Sequence, residues 1–442
     1  MKLINISITM DNISNILVGK ISALHQKIFG YEITEEMKSF LRSLSWSLIG
    51  TVGSAFLFFT ISILAGRILG PAEYGKYNLV LTISSILSVI ISMGFDTTTI
   101  KFVSSSESEE GKNIYISNSL ILITFSSLII LLLLTPSAHF LALILKTDSI
   151  LIAIGAVYAI IFTFKIFFDS IIRGLNKFRL QAVVKILEAF ICADLFLLGI
   201  IILGHKSYIF YVLATSASAL ILSIIYYFQI RKRFCRWSYK HFLIARSYAF
   251  PVFATSIVTI VMASADKFVI NSVLGTTVLG IYSAYLLSTT IIASQITAAI
   301  TNVFFTTVNK SPDKVGLIYK IDRLLVWIGF PFIITMSLLS IAIILLFGVG
   351  YQLNLYYIFL SSITAFLQLA VAFYVIVAMT SKSIFVEYTK YSYLKLIIII
   401  VIYGILFILK LISIPSVLEV LIIASVYDIF ITRYIIKNKS GD

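Results

Sequence analysis

Leu69-Gly70-Pro71-Ala72-Glu73-Tyr74-Gly75-Lys76-Tyr77 is answered 205 residues further on by Leu274-Gly275-Thr276-Thr277-Val278-Leu279-Gly280-Ile281-Tyr282. Both copies keep the Leu-Gly pair, a second glycine, a tyrosine two residues after it, and then a leucine, Leu81 or Leu286. Each phrase lies between two apolar runs, so the repeated unit is a helix, a glycine-marked elbow and a helix. The chain is therefore built from two similar halves. Gly70, Gly75, Gly275 and Gly280 permit positive φ or close backbone approach, which makes them structural elbows and not ligands. Tyr77 and Tyr282 begin the following helices at the depth expected of a membrane interface, where a ring with a polar tip is favoured.

The runs around the elbows are too apolar for a soluble domain. Over 442 residues, 60% are hydrophobic and 12% charged, and the mean hydropathy is +1.04, whereas a soluble surface alone needs more charge. About 20 apolar residues cross ~30 Å of hydrocarbon as a helix. Such stretches lie near 45–65, 77–95, 114–134, 150–171, 181–203, 207–228, 248–268, 280–304, 324–347, 353–378, 391–409 and 414–434. The fold expected is all-α and membrane-integral, with about twelve transmembrane helices in two parallel six-helix repeats and both termini cytoplasmic.

Charge distribution supports that topology, because cytoplasmic loops are rich in Lys and Arg. With the N-terminus inside, 28 of the 34 Lys and Arg residues fall on the inner side, Lys382, Lys390 and Lys395 among them; Arg67, Lys76, Lys146, Lys206, Lys267 and Lys410 fall outside. The net charge of +14 is spread over inner loops and ends, so topology and anionic lipid account for it, and no nucleic-acid partner is expected. The expected organisation is an amphipathic cytoplasmic segment over 1–43, an N-lobe over 44–228, a basic linker over 229–247, a C-lobe over 248–435 and a tail over 436–442. Residues Ile13, Ile16, Leu17, Ile21, Leu24 and Ile28 give the first segment an apolar stripe suited to the membrane surface. Cys192 and Cys235 are placed for neither a disulfide nor a metal site.

Ionisable residues inside spans are costly, so those that persist usually face a cavity or a partner. Lys165, Asp169 and Arg173 fall at i, i+4 and i+8 on the fourth helix and so share a face; the fifth answers with Lys185, Glu188 and, deeper, Asp194. Lys165 and Glu188 lie at matching depth, which allows them to pair. A 205-residue shift turns Lys165, Asp169, Arg173, Glu188 and Asp194 into Ala370, Tyr374, Ala378, Tyr393 and Ile399. Conversely, Asp266 and Lys267 replace Ile61 and Ser62 of the first half. The elbows are common to both halves, whereas these charges are private to one, as a polar groove for an asymmetric ligand requires. Asp428 is a weaker candidate, as suited to helix packing as to binding. No phosphate loop, His-Glu-x-x-His motif or other catalytic pattern is present, so no enzymatic activity, cofactor or metal is expected.

The segment Leu64-Ala65-Gly66-Arg67-Ile68-Leu69-Gly70-Pro71-Ala72-Glu73-Tyr74-Gly75-Lys76-Tyr77, together with Arg173-Gly174-Leu175-Asn176-Lys177-Phe178 and Ala265-Asp266-Lys267-Phe268-Val269-Ile270, resembles the polysaccharide-biosynthesis membrane proteins, the Wzx-type oligosaccharide flippases. Their superfamily (MOP) also holds MATE multidrug exporters and lipid II flippases. The resemblance covers most of residues 40–435. It implies a flippase of the prokaryotic plasma membrane that moves a polyprenyl-diphosphate-linked oligosaccharide between leaflets by alternating access, with a glycan polymerase or glycosyltransferases as further partners. By the same resemblance, Arg67 and Lys267 hold the diphosphate, with Asp266 beside them. Lys165 and Arg173 join the substrate-binding candidates, and Asp169, Glu188 and Asp194 the coupling or ion-pair candidates, from depth and asymmetry alone. Proton coupling, sodium coupling and the membrane potential all stay open as driving forces. The alternatives are an ion-coupled exporter of cationic drugs and a non-transporting component of a glycosyltransferase complex.

Overall fold

A computed structural model describes residue 19 and residues 35–204, 206–297, 308, 314–379 and 382–439. The stripe from Ile13 to Ile28 lies outside them. Among the described residues twelve α-helices follow in chain order: α1 (Glu35–Ser92), α2 (Phe95–Ser105), α3 (Glu109–Leu145), α4 (Ser149–Gly174), α5 (Phe178–Leu203), α6 (Tyr208–Ile230), α7 (Tyr239–Leu274), α8 (Thr276–Leu286), α9 (Lys314–Phe347), α10 (Leu355–Met379), α11 (Lys382–Ile408) and α12 (Ile414–Lys439). Among the described residues no strand occurs. Local sequence sets the ends. Ser108 caps α3 by accepting from the Gly111 amide, and Glu109 and Glu110 complement the helix dipole; Gly204, at φ 64°, closes α5.

Ten described helices are long and apolar enough to cross a membrane. The first candidate, Ser45–Ser92, runs for 48 residues and breaks at Gly70, where φ is 76° and Pro71 follows, so α1 is two helices joined at the first elbow. The 26-residue α5, with Lys185, Glu188 and Asp194 along it, is not among the ten. Gly275, at φ 85°, makes the second elbow between α7 and α8.

The two elbows touch. A Cβ on Gly75 would lie 1.8 Å from the Thr276 carbonyl oxygen, and one on Gly280 would lie 1.9 Å from that of Pro71. Only glycine fits at either position. Two further contacts flank this meeting as a pseudo-symmetric pair. The Tyr351 hydroxyl donates to the Gly66 carbonyl at 3.1 Å, and the Asn271 side chain donates to the Leu145 carbonyl at 3.2 Å. Gly66 and Asn271 are 205 residues apart, as are Leu145 and Gly350. Each half thus reaches from its first long helix onto the other half's corresponding turn.

At the opposite, linker-bearing end the contacts between halves among the described residues run from the start of the second half onto the first. Asn118 both donates to the Ser238 carbonyl and accepts from the Ser238 amide, Lys101 lies 3.6 Å from the centre of the Tyr248 ring, and Gly94 leaves room for the Ala249 carbonyl. The start of α7 therefore leans on α2 and α3 of the first half. Beyond Leu287, by contrast, the chain that continues α8 packs within its own half, with Ser288 bonded to Ser340 and Ala293 clustered with Met336 and Ala365.

Tyr77 and Tyr282 differ from the interfacial expectation. They are 6% and 0% exposed, because each turns into its own half, Tyr77 against Tyr211 and Tyr282 against Asp266. Tyr77 stacks on Tyr211 at 4.0 Å.

Candidate functional site

The hairpin between α4 and α5 turns at Asn176, whose φ of 56° suits a short polar side chain, and so brings the charged faces of the two helices together. Lys165 Nζ lies 2.5 Å from Glu188 Oε1, with Glu188 only 4% exposed. The ammonium also sits 5.5 Å from the Phe162 ring and 5.9 Å from that of Phe58 on α1. One turn on, Asp169 accepts from Gln181 Nε2 through both oxygens at 2.9 Å and from the Tyr226 hydroxyl at 3.3 Å, with Lys185 at 3.6 Å. These links tie α4, α5 and α6 into one polar network. A buried charge pair is tolerated only when its remaining hydrogen-bonding capacity is also used, and for Asp169 it is.

Two members of the sequence-derived set stand apart. Asp194 is exposed and pairs with no described residue; a turn and a half beyond Glu188, it lies past the network. Arg173 is likewise exposed and unpaired among the described residues, at the linker end of α4. Arg67, exposed at the elbow end, runs along the second half, where a Cβ on Gly348 would lie 3.7 Å from its Cγ. Asp194 apart, the charged candidates divide into free arginines at the two ends and paired groups between them.

In the second half Asp266 is 3% exposed. It accepts from the Tyr282 hydroxyl at 2.6 Å and from Lys267 at 3.3 Å, while Lys267 also donates to the Ala263 carbonyl at 2.8 Å. The second elbow tyrosine therefore holds a carboxylate, a role the first cannot have because Ile61 stands where Asp266 does.

Two further clusters stand in the second half, and of their members only Asp428 is a candidate from sequence. Lys395, counted with the inner-side charges as a residue at the start of the 391–409 run, sits mid-helix, because α11 already begins at Lys382. It is 7% exposed and paired with Asp428 of α12. The 205-residue register carried the signal, since Lys395 corresponds to Phe190, two residues deeper than Glu188. The pair lines a cavity of about 550 Å³ between α7, α10, α11 and α12. Nearer the linker end, Asp322 of α9 accepts from Tyr374 and from Arg433 of α12, the latter at 2.8 Å. Tyr374 is the counterpart of Asp169, so this position enters a Tyr–Asp contact in both halves, although the partners, Tyr226 and Asp322, are not counterparts of each other.

The profile of the family described as polysaccharide biosynthesis protein matches residues 40–311. No curated protein matches the sequence significantly. Solved structures with a similar fold include a multidrug resistance MATE family transporter of the MOP superfamily in its inward-facing conformation, at a TM-score of 0.59 and 14% identity over 86% of this chain and 95% of that one. The outward-facing conformation of a multidrug resistance MATE family transporter gives 0.52 and 14% over 91% and 96%, and the eukaryotic MATE transporter AtDTX14 gives 0.51 and 12% over 90% and 96%. At these identities the likeness is one of fold.

Proposed function

Because this chain belongs to the polysaccharide biosynthesis protein family, we propose that it is a flippase for a polyprenyl-diphosphate-linked oligosaccharide, moving it from the inner to the outer leaflet by alternating access. It is a multi-pass membrane protein whose family and fold neighbours are transporters and not enzymes. In this reading it spans a prokaryotic plasma membrane twelve times with both termini and the basic linker inside, which makes the elbow end the outer end. The observation that carries the reading is the reciprocal seam at that end. Two glycine elbows, two pseudo-symmetric hydrogen bonds and a shared apolar cluster that includes Leu69, Tyr74, Tyr285 and Phe347 join the halves there, so that this end is closed; alternating access needs such a joint to part and re-form.

The division of charges assigns roles along the path. A diphosphate and its sugars cannot enter hydrocarbon unaided, since unpaired charges and hydroxyls are too costly to bury. Arg173 at the inner end and Arg67 at the outer end are the cations free to receive the diphosphate on loading and release. Lys165 and Lys267, already beside Glu188 and Asp266, instead offer hydrogen bonds to sugars from near-neutral pairs. Outward movement of two uncompensated negative charges gains roughly 4–5 kcal/mol per 100 mV of inside-negative potential, at about 2.3 kcal/mol for each charge. The potential alone therefore supplies a driving force; the carboxylates Glu188, Asp194 and Asp266 are where a proton or sodium ion would couple.

The test is reconstitution in vesicles holding a fluorescent undecaprenyl-diphosphate oligosaccharide, with chemical quenching of the exposed leaflet. Protein-dependent loss of the protected fraction, stimulated by potential and reduced in Arg67→Gln and Arg173→Gln, supports the proposal. Vesicles that instead move ethidium against an ion gradient and leave the glycolipid in place would support the drug-exporter reading.

A further inference from the structure

A cavity of about 550 Å³ opens inside the second half where the first half has a close helix contact. In the first half α1 lies on α5 through glycines: a Cβ on Gly50 would meet the Ala182 Cα at 2.4 Å, and one on Gly53 would meet Ile186 at 3.2 Å. Their counterparts in the 205-residue register are Thr255 and Val258, and both line the cavity. Its volume is in the range of small-molecule sites.

The lining is not that of a packing defect. The Lys395–Asp428 pair is buried, at 8% and 10% side-chain exposure, and its two members bond only one another among the described residues. Two ammonium N–H groups and one whole carboxylate oxygen are left over, and a buried pair of this kind calls for partners to fill them. Gln368, which also lines the cavity, makes no side-chain hydrogen bond with a described residue. Ser392 and Ser425 donate to carbonyls of their own helices, so their oxygens can still accept. Tyr388 and Tyr393 add flat apolar surface, and Tyr393, with Thr259, is exposed at the rim.

The charge balance selects the occupant. An anion drawn to Lys395 would leave Asp428 uncompensated in a low-dielectric site, and a cation drawn to Asp428 would do the same to Lys395. A neutral molecule with several hydroxyls satisfies both at once, donating to the carboxylate and accepting from the ammonium and the Gln368 amide. We propose that this cavity is a binding site for an uncharged sugar residue, held between the Lys395–Asp428 pair and Gln368. That the polyol is a sugar of the transported glycan rests on the flippase reading above. The site is private to the second half and lies apart from the Lys165–Glu188 network.

Saturation-transfer NMR on the purified full-length protein in detergent tests the site directly. The probes are galactose, glucose, rhamnose and N-acetylglucosamine as neutral sugars, glucuronate as the anion and tetraphenylphosphonium as the cation. At least one neutral sugar is expected to give transfer at millimolar concentration and neither ion to compete with it. Two variants are expected to weaken the signal at least tenfold while thermal unfolding stays cooperative: Gln368→Leu, and Lys395→Met combined with Asp428→Leu, which removes the pair without leaving a lone charge. Equal transfer in wild type and variants, transfer from an ion only, or none from any sugar overturns the proposal. The vesicle assay keeps the two inferences separate. Glycolipid flipping without sugar binding in the cavity removes this site and leaves the flippase; sugar binding without flipping does the reverse.

Discussion

In the first half of the chain α1 lies flush on α5, whereas in the second half α7 stands off α11 and a cavity occupies the difference. Both arrangements come from one repeated plan. Glycines at 50 and 53 meet Ala182 and Ile186, while their counterparts Thr255 and Val258 line the cavity. The charged pairs follow the same split. Lys165–Glu188 joins α4 to α5 under aromatic rings from α1 and α4; Lys395–Asp428 joins α11 to α12 and faces open space. The duplication kept the elbows, where the halves must fit each other. It released the helix faces inside each half, where they need fit only their own neighbours.

The largest expected effect breaks the comparison at its charges. Lys395→Met leaves Asp428 buried without its cation and should cost about 3–5 kcal/mol, the range for removing one partner of a buried pair. Lys165→Met likewise strands Glu188, 4% exposed against 10% for Asp428, and should cost a similar ~3–5 kcal/mol. Reversible unfolding in mixed micelles would measure both; a much smaller loss for Lys165→Met would mean that water reaches Glu188 once the lysine is gone. Lys395→Met with Asp428→Leu should recover most of the stability, since the uncompensated charge is gone.

Steric substitutions come next. Gly75→Ala and Gly280→Ala each place a methyl within 2 Å of a carbonyl oxygen from the other half, so the elbows must separate, at about 1–3 kcal/mol. A disulfide trap across the elbow end, with one cysteine on each half, should form more slowly in both variants; unchanged trapping would show that the elbows do not meet as described. Inside the halves, Gly50→Thr copies the second half into the first and should cost a similar 1–3 kcal/mol by overpacking against Ala182. The reverse change, Thr255→Gly, faces a cavity and should cost only about 1 kcal/mol, the helix-propensity penalty. Comparable losses would mean that α7 and α11 are in tighter contact than the cavity implies.

How much of this was legible beforehand follows from what each feature depends on. The elbows could be read because they are local, a glycine needing positive φ beside a glycine needing close approach, repeated at one spacing. The all-helical membrane fold could be read because hydrocarbon imposes apolar length. The Lys165–Glu188 contact followed from depth, as a short hairpin fixes the relative heights of two helices. Lys395 was misplaced because hydropathy marks where a run turns apolar and not where a helix begins, and α11 starts nine residues before that run. The burial of Tyr77 and Tyr282 was hidden for a different reason: it comes from helices distant in sequence, Tyr211 of α6 and Asp266 of α7, and a local pattern carries no record of which helix will pack there. The cavity likewise needs the two faces of α7 and α11 to be compared with those of α1 and α5.

The smallest expected effect tests the symmetry of the seam itself. Tyr351→Phe removes the hydrogen bond to the Gly66 carbonyl, and Asn271→Leu removes the one to Leu145. Burial, with Tyr74 beside it, pushes the Tyr351 phenol above its ordinary range, so it stays a neutral donor near neutral pH and its loss should be independent of pH there. Each bond should contribute about 0.5–1.5 kcal/mol. The Asn271 change should lie at the low end, because its Oδ1 is already buried without a partner and replacing the side chain removes that penalty too. Applied to an equilibrium between closed and open elbow ends, about 1 kcal/mol is roughly a fivefold population shift. Spin-label distances across the seam should therefore broaden toward the open side in either variant. If the two bonds act independently on the two sides of a pseudo-twofold axis, the double variant should shift the population by the product of the single factors, to within about 0.5 kcal/mol. A double variant no worse than Tyr351→Phe alone would mean that the seam hangs on one side, and that the repeat in the sequence has no counterpart in how the halves open.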